Sequence, residues 1–202
     1  MVLCPLTVGC KAQSQLIRDD QQCRHNISTH PNLALPYCTA LVNSGKLSQK
    51  NHALALIQRG VAYRNLERFD PAIQDFSSAI KIEPAIANAY NNRGLVYDYK
   101  HEYEMAIRDY DQAIRLQPDY PDAFNNRALV YREMGDYGRA LQDFNQAIRL
   151  KPGFVVAIAN RASIYIFKGE YSRAIEEFTR VIKLEPQDAG DYNDRAAAYL
   201  GK

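Results

Sequence analysis

One spacing governs how this chain can fold. Pro84, Pro118, Pro152 and Pro186 recur every 34 residues, and the segments leading into them read "AIKIEP", "AIRLQP", "AIRLKP" and "VIKLEP". Tyr63, Tyr97, Tyr131, Tyr165 and Tyr199 keep the same period. So do Ala72, Ala106, Ala140 and Ala174, and the aromatic set Phe76, Tyr110, Phe144 and Phe178. Columns held in register in this way mark a stack of like units, each burying its apolar face only against its neighbours.

Each unit divides into two helical patterns. In the second, Tyr90, Gly94 and Tyr97 fall at i, i+4 and i+7 and mark one face of a first helix. The triplet "HEY" interrupts, and Ala106, Tyr110, Ala113 and Ile114 mark the face of a second helix. The columns of Gly94 or Ala128 against Ala106 or Ala140 are small, as a close approach of two helices requires, and large aromatics fill the space beside them. Pro84 and its equivalents cannot continue the helix they follow, so each sets a sharp exit. Asp70-Pro71 reads as an N-cap followed by proline at the first helical position.

This helix-turn-helix pattern resembles the tetratricopeptide repeat. The family's aromatic, small, Tyr, Ala, aromatic, Ala and Pro columns match Tyr90, Gly94, Tyr97, Ala106, Tyr110, Ala113 and Pro118. The resemblance implies an all-α fold, a right-handed α-solenoid of helix-turn-helix repeats. Four complete units cover 53–86, 87–120, 121–154 and 155–188, and residues 189–202 supply the first helix of an incomplete fifth. One departure is systematic: where the family usually has Leu before the small residue, this chain has Arg59, Arg93, Arg127, Arg161 and Arg195.

The start of the chain differs in kind. All four cysteines (Cys4, Cys10, Cys23 and Cys38) lie in the first 38 residues. Residues 1–18 read as a flexible N-terminus or the remnant of a secretory signal, and "TVGC" is similar to a lipoprotein acceptor site. Residues 19–52 read as a degenerate capping unit, with Ala34, Cys38 and Leu41 where Ala, aromatic and Ala are expected. An apolar start and cysteines confined to the cap suit an oxidising compartment, periplasmic or secreted, with a Cys23–Cys38 disulfide. The alternatives are a cytoplasmic protein and a buried free Cys38 filling the aromatic slot.

Catalytic chemistry is not legible. His25, His30, His52 and His101 have no metal-ligand spacing, and phosphate loops, nucleophile elbows and Cys-x-x-Cys motifs are all missing. No catalytic residue, metal or cofactor is therefore expected. With 25 basic and 23 acidic residues for a net charge of +2, there is no basic stripe for nucleic acid. No apolar run approaches the length of a membrane span. The reading is a non-catalytic interaction scaffold holding a protein or peptide; the alternative is the substrate-recruiting part of a larger enzyme such as a glycosyltransferase. "AAAYLGK" leaves Tyr192, Ala196 and Tyr199 where a following helix would cover them, so the C-terminal end is expected either to continue or to self-associate.

The first helices carry a puzzle, the doubled "NNR" of "AYNNRGLVY" and "AFNNRALVY", since Asn is a poor residue for a helix interior. Two explanations follow. Each Arg faces an acidic residue 16 positions later (Arg59 and Asp75, Arg93 and Asp109, Arg127 and Asp143, Arg161 and Glu177), which predicts an Arg–carboxylate ladder between the paired helices. The residue before it is Gln58, Asn92, Asn126, Asn160 or Asp194, at a position that lies in the family on the inner, concave surface. Asn92, Asn126 and Asn160 then form a row of amides that can hold a peptide backbone, similar to the asparagine rows of glycosyltransferase arrays. Asn91, Leu95, Asp98, Asn125, Leu129 and Arg132 tune side-chain preference beside it. Ile57 and Val61 stand where a carboxylate clamp needs polar groups, so that mode is not implied. Replacing the three amides is expected to leave folding intact.

Overall fold

The computed structural model describes residues 8–202, with side chains from residue 13 onward. Among the described residues it contains eleven α-helices and no strand. They are α1 (Val8–Asn26), α2 (Pro31–Asn43), α3 (Gln49–Asn65), α4 (Phe69–Ile82), α5 (Ala87–Tyr99), α6 (Tyr103–Leu116), α7 (Pro121–Glu133), α8 (Tyr137–Leu150), α9 (Val155–Phe167), α10 (Tyr171–Leu184) and α11 (Ala189–Gly201). They divide into two compact units, one ending at Glu102 and the other beginning at Tyr103.

In the first unit, α1 pairs with α2 and α3 with α4, and α5 packs on α4. Cys23, Ala34, Cys38, Leu41 and Ala55 form the core of the first hairpin. Ala53, Leu56, Ile57, Ala72, Phe76, Ala79, Ala89 and Val96 form the next. In the second unit α7 pairs with α8, α9 with α10, and α11 packs on α10. Its larger core joins Ala128, Tyr131, Ala140, Phe144, Ala147, Ile158, Ile164 and Val181, and a smaller one joins Ala162, Ala174, Phe178 and Ala198.

The repeating columns are where this packing is made. Ala72, Ala106, Ala140 and Ala174 are fully buried, as are Phe76, Tyr110, Phe144 and Phe178. Gly60 shows why the facing column must be small: a Cβ there would lie 2.7 Å from Cε1 of Phe76. The turn between the two helices of each repeat is equally regular, because Glu67, His101, Gly135 and Gly169 all adopt positive φ. In the first two repeats a residue with a side chain accepts the left-handed conformation that glycine takes for free.

Two expectations are corrected. Residues 8–18, read as part of a flexible N-terminus, belong to α1. Leu16 packs against the first core, and Gln15 Nε2 donates to Oδ1 of the buried Asp19 at 2.7 Å. Residues 1–7, with the rest of the signal or lipoprotein reading, lie outside the described residues. Asp70 is not an N-cap, since α4 already begins at Phe69. Its carboxylate instead accepts from Nζ of Lys100 at 2.9 Å.

Gly60→Ala tests the packing account. Alanine is the better helix former, yet the crowding against Phe76 should lower stability by about 1–3 kcal/mol. A urea unfolding midpoint equal to or above wild type would contradict it.

Candidate protein-binding face

The arginine column ties helices together. Arg59 donates from Nε to Oδ2 of Asp75 at 2.8 Å and from Nη2 to Oδ1 at 2.7 Å. Arg127 makes the same fork on Asp143, at 2.7 and 2.8 Å. Arg161 reaches Oε1 of Glu177 through Nη2 alone, and Arg161 Nε and Glu177 Oε2 are left without partners among the described residues. The longer glutamate breaks the parallel two-bond geometry that aspartate allows.

A second arm was missed in the sequence. From Arg93 onward, Nη1 points to the residue 16 positions earlier, on the preceding second helix: Arg93 to Ser77 Oγ at 2.9 Å, Arg161 to Asn145 Oδ1 at 2.6 Å, and Arg195 to Thr179 Oγ1 at 3.5 Å. Arg127 meets Asp111 there, which is an ion pair. The column Ser77, Asp111, Asn145 and Thr179 holds only residues that can accept a hydrogen bond, a signal that was available. Aromatic rings flank the guanidinium, as with Arg127 between Phe124 and Tyr131 at 5.6 and 5.9 Å. Burial works against the Arg127 charge, but the hydrogen bonds and charges of Asp143 and Asp111 outweigh it and raise its pKa. The hydrogen bond to Asp75 does most to raise that of Arg59.

The residue before each arginine serves the contact between first helices. Arg64, at the end of α3, donates from Nη1 to Oδ1 of Asn92 in α5 at 2.6 Å. Asn92 Nδ2 turns back to the carbonyl of Asn88 at 2.8 Å. The arrangement recurs in the second unit, where Arg132 Nη1 meets Asn160 Oδ1 at 2.8 Å and Asn160 Nδ2 meets the carbonyl of Val156 at 2.9 Å. Gln58 reaches Asp20 of α1 at 3.4 Å. The doubled Asn is therefore fastened into the fold. Asn92 is buried, so its replacement is expected to cost stability where the sequence alone suggested none.

The other expected face residues sit around these ties. On α5, Asn91 is buried and Leu95 and Asp98 are half-buried. On α7, Asn126, Leu129 and Arg132 are half-buried, as is Asn160 on α9. Asn125 is 5% exposed; its Nδ2 donates to Asn126 Oδ1 at 3.3 Å, while its own Oδ1 has no partner among the described residues. Buried acceptors are rarely left unpaired. Two aromatic pairs were not anticipated. Phe69 stacks on Tyr99 with centroids 5.8 Å apart, and Tyr137 meets Phe167 at 4.6 Å, leaving Tyr99 and Phe167 more than half exposed.

Cys23 and Cys38 face each other across α1 and α2, fully buried, with Cα atoms 5.1 Å apart. The side chains of Cys4 and Cys10 lie outside the described residues. Among the described residues, no group of three or more His, Cys, Asp or Glu could hold a metal ion, and no helix is long and apolar enough to cross a membrane.

Helix hairpins whose first helices are tied side by side within each unit define a helical-repeat protein. Models of the tetratricopeptide repeat match residues 53–85, 87–120, 121–154 and 156–188, and the chain belongs to that family. Among curated proteins no sequence matches it significantly. Solved structures share the fold. MamA (residue 41 to its end) from Desulfovibrio magneticus RS-1 is 22% identical with a TM-score of 0.72, covering 91% of this chain and 100% of that one. A thermophilic repeat protein of Thermus thermophilus is 19% identical with a TM-score of 0.72, covering 94% and 99%. The first repeat domain of Spaghetti (RPAP3), bound to the HSP90 peptide SRMEEVD, is 24% identical with a TM-score of 0.55, covering 56% and 90%. At these identities the likeness is one of fold: an all-α solenoid of helix-turn-helix repeats.

If the Arg64–Asn92 tie supports the fold, Asn92→Ala should cost about 1–2 kcal/mol despite the better helix propensity of alanine. In a double-mutant cycle with Arg64→Ala the two losses should fall short of additivity by about 0.5 kcal/mol or more. Additive losses would mean that the contact carries no energy.

Proposed function

We propose that this chain is a non-catalytic scaffold that holds a peptide or protein segment of a partner against the faces of its first helices. In the second unit that face presents Asn125, Asn126, Leu129, Arg132 and Asn160; in the first it presents Asn91, Asn92, Leu95 and Asp98. The observation that carries the reading is the run of half-buried polar and apolar side chains along the first helices, Leu95 and Asp98 in one unit and Asn126, Leu129, Arg132 and Asn160 in the other. An extended peptide supplies backbone N–H and C=O groups at every residue other than proline, and polar side chains along such a row can pair with them. Leu129 offers apolar contact, and Arg132 a charge held in place by Asn160 and Glu133. The peptide-bound domain of Spaghetti is a relative in fold that uses a peptide ligand. Here Ile57 and Val61 favour a segment recognised along its backbone over one gripped by a terminal carboxylate.

A random peptide library displayed on phage tests this. The wild-type chain should enrich a related set of peptides, and Leu129→Glu and Arg132→Ala should each weaken them about tenfold, the equivalent of one lost contact. Both variants are first checked for native helical content. Peptides that bind the two variants as tightly as wild type would remove this face from the account.

We infer also that Cys23 and Cys38 form a disulfide, and that the protein works in an oxidising compartment, periplasmic or secreted. The burial of the pair and its Cα separation of 5.1 Å suit a bond. A cross-link closing a loop with a sequence separation of 15 should stabilise the first hairpin by about 3 kcal/mol. Adding reductant should therefore lower the melting temperature of the wild type but not of Cys23→Ser/Cys38→Ser. Alkylation of Cys38 in denatured, unreduced protein purified from its native compartment would show that the bond is not made.

A further inference from the structure

The geometry points to a second site in the first unit: a cavity that takes the aliphatic chain of a single-chain amphiphile ending in a carboxylate. It is a hollow of about 520 Å³ between α1, the turn from α2 to α3, and α3 itself. That volume is within the range of small-molecule sites. The apolar lining comes from Leu16, Ile17, Leu41, Leu47 and Leu54, with no aromatic ring among the lining residues. Ile17 and Leu54 remain 56% and 37% exposed, an apolar surface that the described chain does not cover.

The polar lining discriminates between kinds of occupant. Arg24 Nε is held by Asp20 at 2.9 Å, and Gln58 Nε2 reaches the same carboxylate at 3.4 Å. Ser48 Oγ caps α3 by accepting from the backbone N–H of Asn51 at 3.3 Å. Most of the polar groups are thus already engaged with one another, which leaves few to pair with a peptide backbone. An alkyl chain needs none, and it gains from every apolar contact.

Charge selects the head group. Lys46 stands on the lining and takes part in none of the ion pairs among the described residues, whereas the charge of Asp20 is met by Arg24. Ser48 places the N-terminus of α3, the positive end of a helix, on the same side. Residues 8–52 carry five Lys or Arg (Lys11, Arg18, Arg24, Lys46, Lys50) against two Asp (Asp19, Asp20). An anionic head group fits this setting, and a cationic one does not. None of the residues named for the peptide face lines the hollow, and the proposal does not depend on that face.

Isothermal titration with dodecanoate below its micelle-forming concentration is the test. One molecule should bind per chain, saturably, and dodecyltrimethylammonium should bind at least several-fold more weakly. Lys46→Glu should weaken dodecanoate by about five- to tenfold, as the reversal of one exposed charge allows. Leu54→Trp should abolish binding by filling the hollow. Both positions lie at the surface, so circular dichroism should show the helical content retained. Unsaturable binding, equal affinity for the cationic amphiphile, or undiminished binding to Leu54→Trp would each overturn the proposal. Displacement of dodecanoate by the phage-selected peptides would assign the hollow to the peptide face and also overturn it.

Discussion

A guanidinium that reaches three helices at once sets the register of the stack. Arg127 leaves α7, forks onto Asp143 of α8 and touches Asp111 of α6. Burying such a charge costs energy, and the carboxylates offset that cost only where the geometry is right. The interaction is therefore worth more as a specification of alignment than as net stability. A slip of either second helix would strand a half-buried cation. The alanine and aromatic columns supply the apolar burial, and the arginines add hydrogen bonds that are satisfied only in one alignment of the paired helices.

Much of this was legible because a repeat displays its own packing rules several times over. The period gave the helix pairs, the small columns gave the close approaches, and the spacing of 16 gave the arginine forks on Asp75 and Asp143. What escaped were the links from one repeat to the one before. The second arm of Arg93, Arg127, Arg161 and Arg195 and the tie from Arg64 to Asn92 join residues whose partnership depends on how neighbouring hairpins pack. Helical periodicity within a unit does not fix that. The reading of residues 8–18 failed for a related reason: they carry none of the repeat's columns, and Leu16 finds its neighbours on α2 and α3.

The amides show how folding and recognition share residues here. Asn92 and Asn160 each spend an oxygen on a preceding arginine and a nitrogen on their own helix. Asn125, one residue before the tied position, keeps an oxygen unspent. Amides that look alike in sequence thus divide into those fastened to a neighbouring repeat and one left with an unpaired oxygen. Only the hydrogen-bond census tells them apart.

The second arm of the arginine also changes what counts as a module in this chain. By sequence the natural brick is a first helix followed by its second. By interaction it is a second helix, the next first helix and the second helix after that, because one side chain spans all three, as Arg127 does. Bricks so defined overlap: α8 belongs both to the one centred on Arg127 and to the one centred on Arg161. Deleting or shuffling whole repeats would preserve every fork while exchanging the acceptors at Ser77, Asp111, Asn145 and Thr179. Rearranged arrays would keep their hairpins and differ in the strength of their joints, the strongest travelling with Asp111.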